Sequence, residues 1–189
     1  MQNDALQGGF TDAPVEAAQA FRAVMNAMAR PGRIEPLAIA GPPKPLSPAA
    51  GTVILTLCDP ETPVYLGGGR DTPAIREWIT FHTGAPIGAA DQAMFAVGEW
   101  PSLQPLDRFA IGTSEYPDRS ATLIVETEKL SPDGARLTGP GIKVASLLSL
   151  PDLTPFQQNA ALFPLGLDFF FTAGDCVAAL PRTTNVEGL

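Results

Sequence analysis

The sequence predicts an α/β fold: helices layered about a mixed β-sheet, in a three-layer α/β/α arrangement that makes residues 1–189 one domain. Three observations predict it. Helix-like and strand-like segments alternate along the chain, the pattern of α/β layers. The strand-like runs are apolar throughout, as strands covered on both faces are. Finally, the apolar runs Phe169 to Ala173 and Val177 to Leu180 flank Gly174-Asp175, a short-hairpin signal that makes the sheet partly antiparallel.

Each element has its own local signal. Residues 13 to 29 read as the first helix, started by Asp12 and Pro14 and stopped by Pro31-Gly32. Phe21, Val24, Met25 and Met28 fall at i, i+3, i+4 and i+7, one apolar stripe. "RIEPL", 33 to 37, reads as a short strand, and "AGPPKPLSP", 40 to 48, as an ordered loop. Ser47-Pro48 fits an N-cap with a first-turn proline, followed by the stripe Ala50, Val53, Ile54, Leu57 and Cys58. "PVYLGG" is a strand; Thr72-Pro73 opens a third helix whose apolar face is Ile75, Trp78, Ile79 and, at its end, His82. "AMFAVG" and "ATLIVET" are strands separated by a helix over 102 to 110, and "ARLTGPGI" is a strand running into a glycine–proline loop. A last helix over 155 to 163 precedes the closing hairpin.

Composition narrows the function. At this length, on the order of 70% of the unfolded chain's surface can be buried. Twelve basic against twenty acidic residues give a net charge of −8, so the basic footprint of a nucleic-acid binder is missing. No apolar run is long enough to span a bilayer, and "MQNDALQGGF" lacks the basic and apolar parts of a signal peptide. Cys58 and Cys176 each sit inside an apolar run and read as buried thiols rather than a disulfide. A cytoplasmic protein is expected, with no membrane contact.

The motifs are weak individually. His82 is the only histidine, so any imidazole chemistry must use it. Followed by Gly84, it also suits a helix C-terminus, where its charge favours the dipole. Two cysteines far from metal-ligand spacing make a zinc site unexpected. "GGGRDT", 67 to 72, is not a P-loop, and Asp71 occupies the position an anion would take; a solvated turn is the simpler reading. No G-x-S-x-G elbow is present, and none of Lys44, Lys129 and Lys143 sits where a pyridoxal cofactor's lysine belongs. "LTGPGI" turns sharply at Gly139 and Gly141, as an anion nest or as a tight loop.

"FRAVMNAMARPGRI", "FHTGAP", "LTGPGI", "FPLGLD" and "ALPRTT" occur in an order and spacing that resembles the PhnH family, a subunit of the bacterial carbon–phosphorus lyase system for phosphonate use. The resemblance runs from about residue 14 to residue 187. It implies a fold like the large domain of pyridoxal-dependent transferases without the cofactor site, and hence no cofactor. It also implies a homodimer that works with other carbon–phosphorus lyase subunits, the G, I, J and L components. Their assembly transfers the ribose triphosphate of ATP onto an alkylphosphonate. On this reading the chain is a non-autonomous subunit with no catalytic residue of its own; the alternative is that it contributes residues directly to the transferase site.

The candidate substrate- or partner-binding residues are Arg30, His82, Thr83, Gly139, Gly141, Arg182, Thr183 and Thr184. Arg182, at the end of an apolar strand, has three readings: it pairs with a partner's carboxylate, with a phosphate, or with acceptors in its own chain. The hydroxyls of Thr183 and Thr184 extend the polar stretch and favour the partner.

Overall fold

The computed structural model describes residues 6–189; the first five, on which the reading of no leader partly rests, lie outside the described residues. The architecture is mixed α/β, built on a six-stranded sheet. Its elements, in chain order, are α1 (Ala13–Ala29), β1 (Glu35–Pro36), α2 (Pro48–Leu57), β2 (Val64–Leu66), α3 (Pro73–Thr83), β3 (Phe95–Glu99), β4 (Thr122–Glu126), β5 (Ala135–Thr138), β6 (Ser146–Leu148), α4 (Thr154–Ala160), β7 (Asp168–Ala173), β8 (Cys176–Leu180) and β9 (Asn185–Glu187). The sheet order is β1-β8-β7-β4-β3-β2. Strands β2, β3, β4 and β7 run parallel, and β8 and β1 close one edge antiparallel.

The alternation of side chains on each strand builds two cores. Phe170, Val177 and Ala179 face one way, toward α1, α2 and α3. Phe169, Phe171, Ala178 and Leu180 face the other, where Phe156 of α4 packs. Both faces of the hairpin are therefore covered, which is why neither run alternates with polar residues. The hairpin turn itself is used: Asp175 O accepts the Leu37 N–H at 2.7 Å and Gly174 O accepts the Ala49 N–H at 3.0 Å.

The second outer layer departs from the expected α/β/α sandwich. It consists of α4 together with a small antiparallel sheet of order β6-β5-β9. Strands of three or four residues leave little periodic pattern to read. The expected helix over 102 to 110 is replaced by two single 3-10 turns, Trp100–Leu103 and Leu106–Arg108. Pro105 removes an N–H that a continuous helix needs there.

Helix starts follow their signals. Ser47 Oγ accepts the Ala50 N–H and Thr72 Oγ1 accepts the Ile75 N–H, both at 3.2 Å. Asp12 makes no side-chain cap; Glu16 reaches back instead, accepting the Thr11 N–H at 2.6 Å. Helix α3 ends on Gly84 at φ 74°, whose N–H bonds Thr80 O, the left-handed cap that glycine permits.

The face of α1 is a correction. It buries Ala20, Val24 and Ala27, while Phe21 and Met25 are 49% and 53% exposed. Small residues let α1 lie close on its neighbours; of the expected stripe, Val24 and Met28 pack on the core, while Phe21 and Met25 turn outward.

Candidate functional site

The eight residues singled out from the sequence separate into two groups. Both lie toward the amino-terminal ends of the parallel strands. His82 and Thr83 close α3, and the loop after them bonds β2 at its first residue, Val64 N–H to Pro86 O at 2.8 Å. Arg30, Gly139, Gly141, Arg182, Thr183 and Thr184 gather at the other side of the molecule.

At the second corner the glycines serve close packing. Gly141, at φ +81°, leaves no room for a side chain, since a Cβ would sit 2.1 Å from Ala29 O. Gly139, at φ +131°, lies against the backbone of Thr183 and Thr184. The "LTGPGI" loop is thus wedged between the end of α1, beside exposed Arg30, and "PRTT". Of its two readings, the tight loop is the one built.

Arg182 is held inside its own chain. Its Nε and Nη2 donate to Asp168 Oδ1 and Oδ2 at 3.2 and 2.5 Å, a two-pronged pairing, and its backbone N–H donates to Asp168 Oδ1 at 2.8 Å. Nη1 donates to Pro117 O at 2.7 Å, with a longer contact to Pro164 O, and Nη2 also reaches Ser120 Oγ. The guanidinium therefore presents no free fork to a phosphate or a partner carboxylate. It ties the segments entering β4 and β7 to the exit of β8. Thr184 is buried and its Oγ1 has no hydrogen-bond partner, while its N–H bonds Pro181 O at 2.9 Å.

His82 and Thr83 are likewise engaged locally. The imidazole packs on Trp78 and Phe81, with ring centroids 5.1 and 4.9 Å away. Gly9 lies directly over it, so close that a Cβ would sit 2.5 Å from Nδ1. Its Nε2 is buried without a partner. Thr83 Oγ1 donates to Ile79 O at 2.7 Å and accepts the Ala85 N–H at 3.0 Å.

The opposite end of the sheet holds a cluster that the sequence reading missed. In layered α/β proteins ligand sites form outside the carboxyl ends of parallel strands, and Glu99 and Glu126 are the last residues of β3 and β4. Arg70, in the "GGGRDT" turn after β2, donates from Nε to Glu126 and from Nη1 to Glu99. Glu126 is buried, and its other oxygen accepts the Ser47 N–H at the start of α2, 2.8 Å away. Burial opposes the charge on Arg70, but its hydrogen bond to Glu126 and the carboxylates of Glu126 and Glu99 outweigh it and hold the pKa above the ordinary value. Ser102 fits against Gly67, Gly68 and Gly98, where a side chain on any of the three would collide with it. The signals were a glutamate ending an otherwise apolar strand and an arginine after three glycines.

Asp71 pairs with Arg76 at the surface, whose hydrogen bond lowers the carboxyl's pKa. Among the described residues, no three His, Cys, Asp or Glu side chains come together to hold a metal, and no helix is long and apolar enough to cross a membrane. The arrangement is one of internal ties at both ends of the sheet, and within the Arg70 cluster the Glu99 carboxylate is half exposed.

A family model described as "Bacterial phosphonate metabolism protein (PhnH)" matches residues 8–187. A Rhizobium meliloti (strain 1021) protein named "Alpha-D-ribose 1-methylphosphonate 5-triphosphate synthase subunit PhnH" is 44% identical over 98% of both chains. A Stutzerimonas stutzeri protein named "Putative C-P lyase subunit protein HtxG" is 29% identical over 95% of both.

Proposed function

The chain belongs to the PhnH family of bacterial phosphonate metabolism proteins, and on that premise we propose that it is a non-autonomous subunit of the carbon–phosphorus lyase system. With partner subunits it serves the alpha-D-ribose 1-methylphosphonate 5-triphosphate synthase step, in which the ribose triphosphate of ATP passes to a phosphonate and adenine leaves. The name of the Rhizobium meliloti relative, matched end to end, supports the step. The observation that carries the non-autonomous role is the state of Arg182: a guanidinium suited to hold a phosphate spends its donors on Asp168, Pro117 and Ser120.

The same reading makes the chain a single domain over residues 1–189, cytoplasmic, without a cofactor and homodimeric, acting beside the G, I, J and L components. The exposed Phe21 and Met25 on α1 support self-association. The fold is read as a reduced large domain of pyridoxal-dependent transferases. Lys44, Lys129 and Lys143 are all exposed, away from the buried setting a Schiff-base lysine needs.

A second reading, that the subunit completes the transferase site, has Glu99 as its support, the half-exposed carboxylate held by Arg70 at the carboxyl end of β3. One experiment separates the two. The protein is incubated with ATP and methylphosphonate, alone and with the partner subunits, and adenine is measured. Release is expected only with the partners, and unchanged with Glu99→Gln. Release by the pure subunit overturns the first reading; loss of release in a Glu99→Gln complex that still assembles establishes the second.

A further inference from the structure

The connection between β3 and β4 and the helix α4 line a half-open cavity of about 470 Å³, within the size range of small-molecule sites. Its apolar wall is formed by Leu106, Phe109, Ile111, Pro155, Leu162 and Leu167. Three amides belong to the lining: Gln158 is exposed at the rim, and the other two differ. Asn159 is held by the wall: its Nδ2 donates to Leu167 O at 2.9 Å and its Oδ1 accepts the Leu167 N–H at 2.7 Å. Gln104, by contrast, has its Nε2 buried with no acceptor, and interiors normally pair such groups.

Charge restricts the occupant. Among the described residues no lysine or arginine lines the cavity, and the one ionisable lining group is Asp107, on a chain of net charge −8. An anion entering here would lose hydration and meet a carboxylate. An uncharged ring loses nothing comparable and covers the apolar wall. An acceptor on it pairs with Gln104 Nε2 once that side chain turns toward the pocket, and a donor suits the exposed Asp107.

We propose that this cavity binds a compact, neutral ring compound carrying both a hydrogen-bond acceptor and a donor, such as a cyclic amide or a heteroaromatic amine. The site goes beyond the subunit assignment and does not depend on it. Phosphates, phosphonates and carboxylates are excluded from it.

The test uses benzamide and benzoate, the same ring with and without an anionic charge. Each is titrated into the isotopically labelled protein up to about 20 mM, a range in which a fragment of this size registers, and backbone NMR shifts are followed. Saturable benzamide shifts are expected at Leu106, Phe109, Ile111 and Leu162, with benzoate at least tenfold weaker. Leu162→Trp, at a partly exposed position, should fill the cavity and weaken benzamide at least tenfold with an unchanged unfolding midpoint. Gln104→Leu preserves the volume but removes the donor, and should weaken binding about fivefold, the equivalent of about 1 kcal/mol. Absent or unsaturable shifts, benzoate binding as well as benzamide, or both variants binding like the wild type would each overturn the proposal.

Discussion

Asp168 and Arg182 hold each other by both ends. The two carboxylate oxygens accept from Nε and Nη2 of the guanidinium, at 3.2 and 2.5 Å, and Oδ1 also accepts the Arg182 backbone N–H at 2.8 Å. The first residue of β7 is thereby locked to the segment leaving β8, and the donors left over reach Pro117 and Ser120 ahead of β4. A cation at the end of an apolar strand is accounted for within the fold.

This pairing predicts where the cost of mutation falls. The side chains of Arg182 and Asp168 are 12% and 23% exposed, so the pair is mostly but not wholly dry. Arg182→Ala should cost about 3 kcal/mol, the lower end for breaking a buried pair. Arg182→Lys retains charge but loses the planar fork, and should recover less than half. Urea unfolding of the isolated protein measures both. An unfolding free energy within 0.5 kcal/mol of wild type, roughly the scatter of a surface substitution, would return Arg182 to the role of a partner contact.

At the other end of the sheet, Glu126 and Glu99 share Arg70 but differ in burial, with side chains 2% and 51% exposed. Glu126→Gln replaces an acceptor-only group with one that also carries donors, facing Arg70 and the Ser47 N–H. It should cost about 2 kcal/mol, typical of a hydrogen bond to a charged group. Glu99→Gln should cost about 0.5 kcal/mol, since exposed pairs contribute little. Equal effects in urea unfolding would mean that Glu126 is not the anchor of the cluster.

These two clusters also mark how far the sequence could be read. Hairpin register was legible, because Gly174-Asp175 fixes it; extending it one step beyond the pair Phe169–Leu180 sets Asp168 beside Pro181–Arg182. The contact of Arg70 with Glu126 spans 56 positions and has no such local rule. The outward turn of Phe21 and Met25 escaped because periodicity gives one face of a helix but not what covers it. The 102–110 segment has helix-like apolar spacing, and Pro105 within it decided the matter. Strands β6 and β9 were too short to leave a pattern.

Cys58 carries a pH prediction. Burial pushes its thiol up to about 12 from 9.0, despite a lowering hydrogen bond with Thr62. Because the folded-state pKa is raised, the stability it confers is complete below pH 9 and is lost as the unfolded thiol ionises above it. Between pH 9 and 12 the loss is about 1.4 kcal/mol per pH unit. The stability difference between wild type and Cys58→Ala should therefore fall by about 2 kcal/mol from pH 9 to pH 10.5. In the native protein at pH 8, a thiol reagent should modify partly exposed Cys176 and spare Cys58. A pH-independent difference, or fast modification of Cys58, would show that the thiol is not sealed.

The last prediction concerns the outward face of α1. Phe21 and Met25 stand one helical turn apart and are about half exposed, whereas Ala20, Val24 and Ala27 face the core. Exposing two large apolar side chains side by side is unfavourable unless another surface covers them, and a second copy of the chain would bury the pair against its own image. Light scattering after size exclusion should give about twice the 19.8 kDa chain mass. The double substitution Phe21→Glu and Met25→Glu should halve that mass at micromolar concentration. The substituted monomer should nevertheless stay folded, because neither side chain supports the core. If the wild type is a monomer, the homodimer is wrong. If the substituted protein remains a dimer, the two copies meet elsewhere, and α1 is left for a partner subunit.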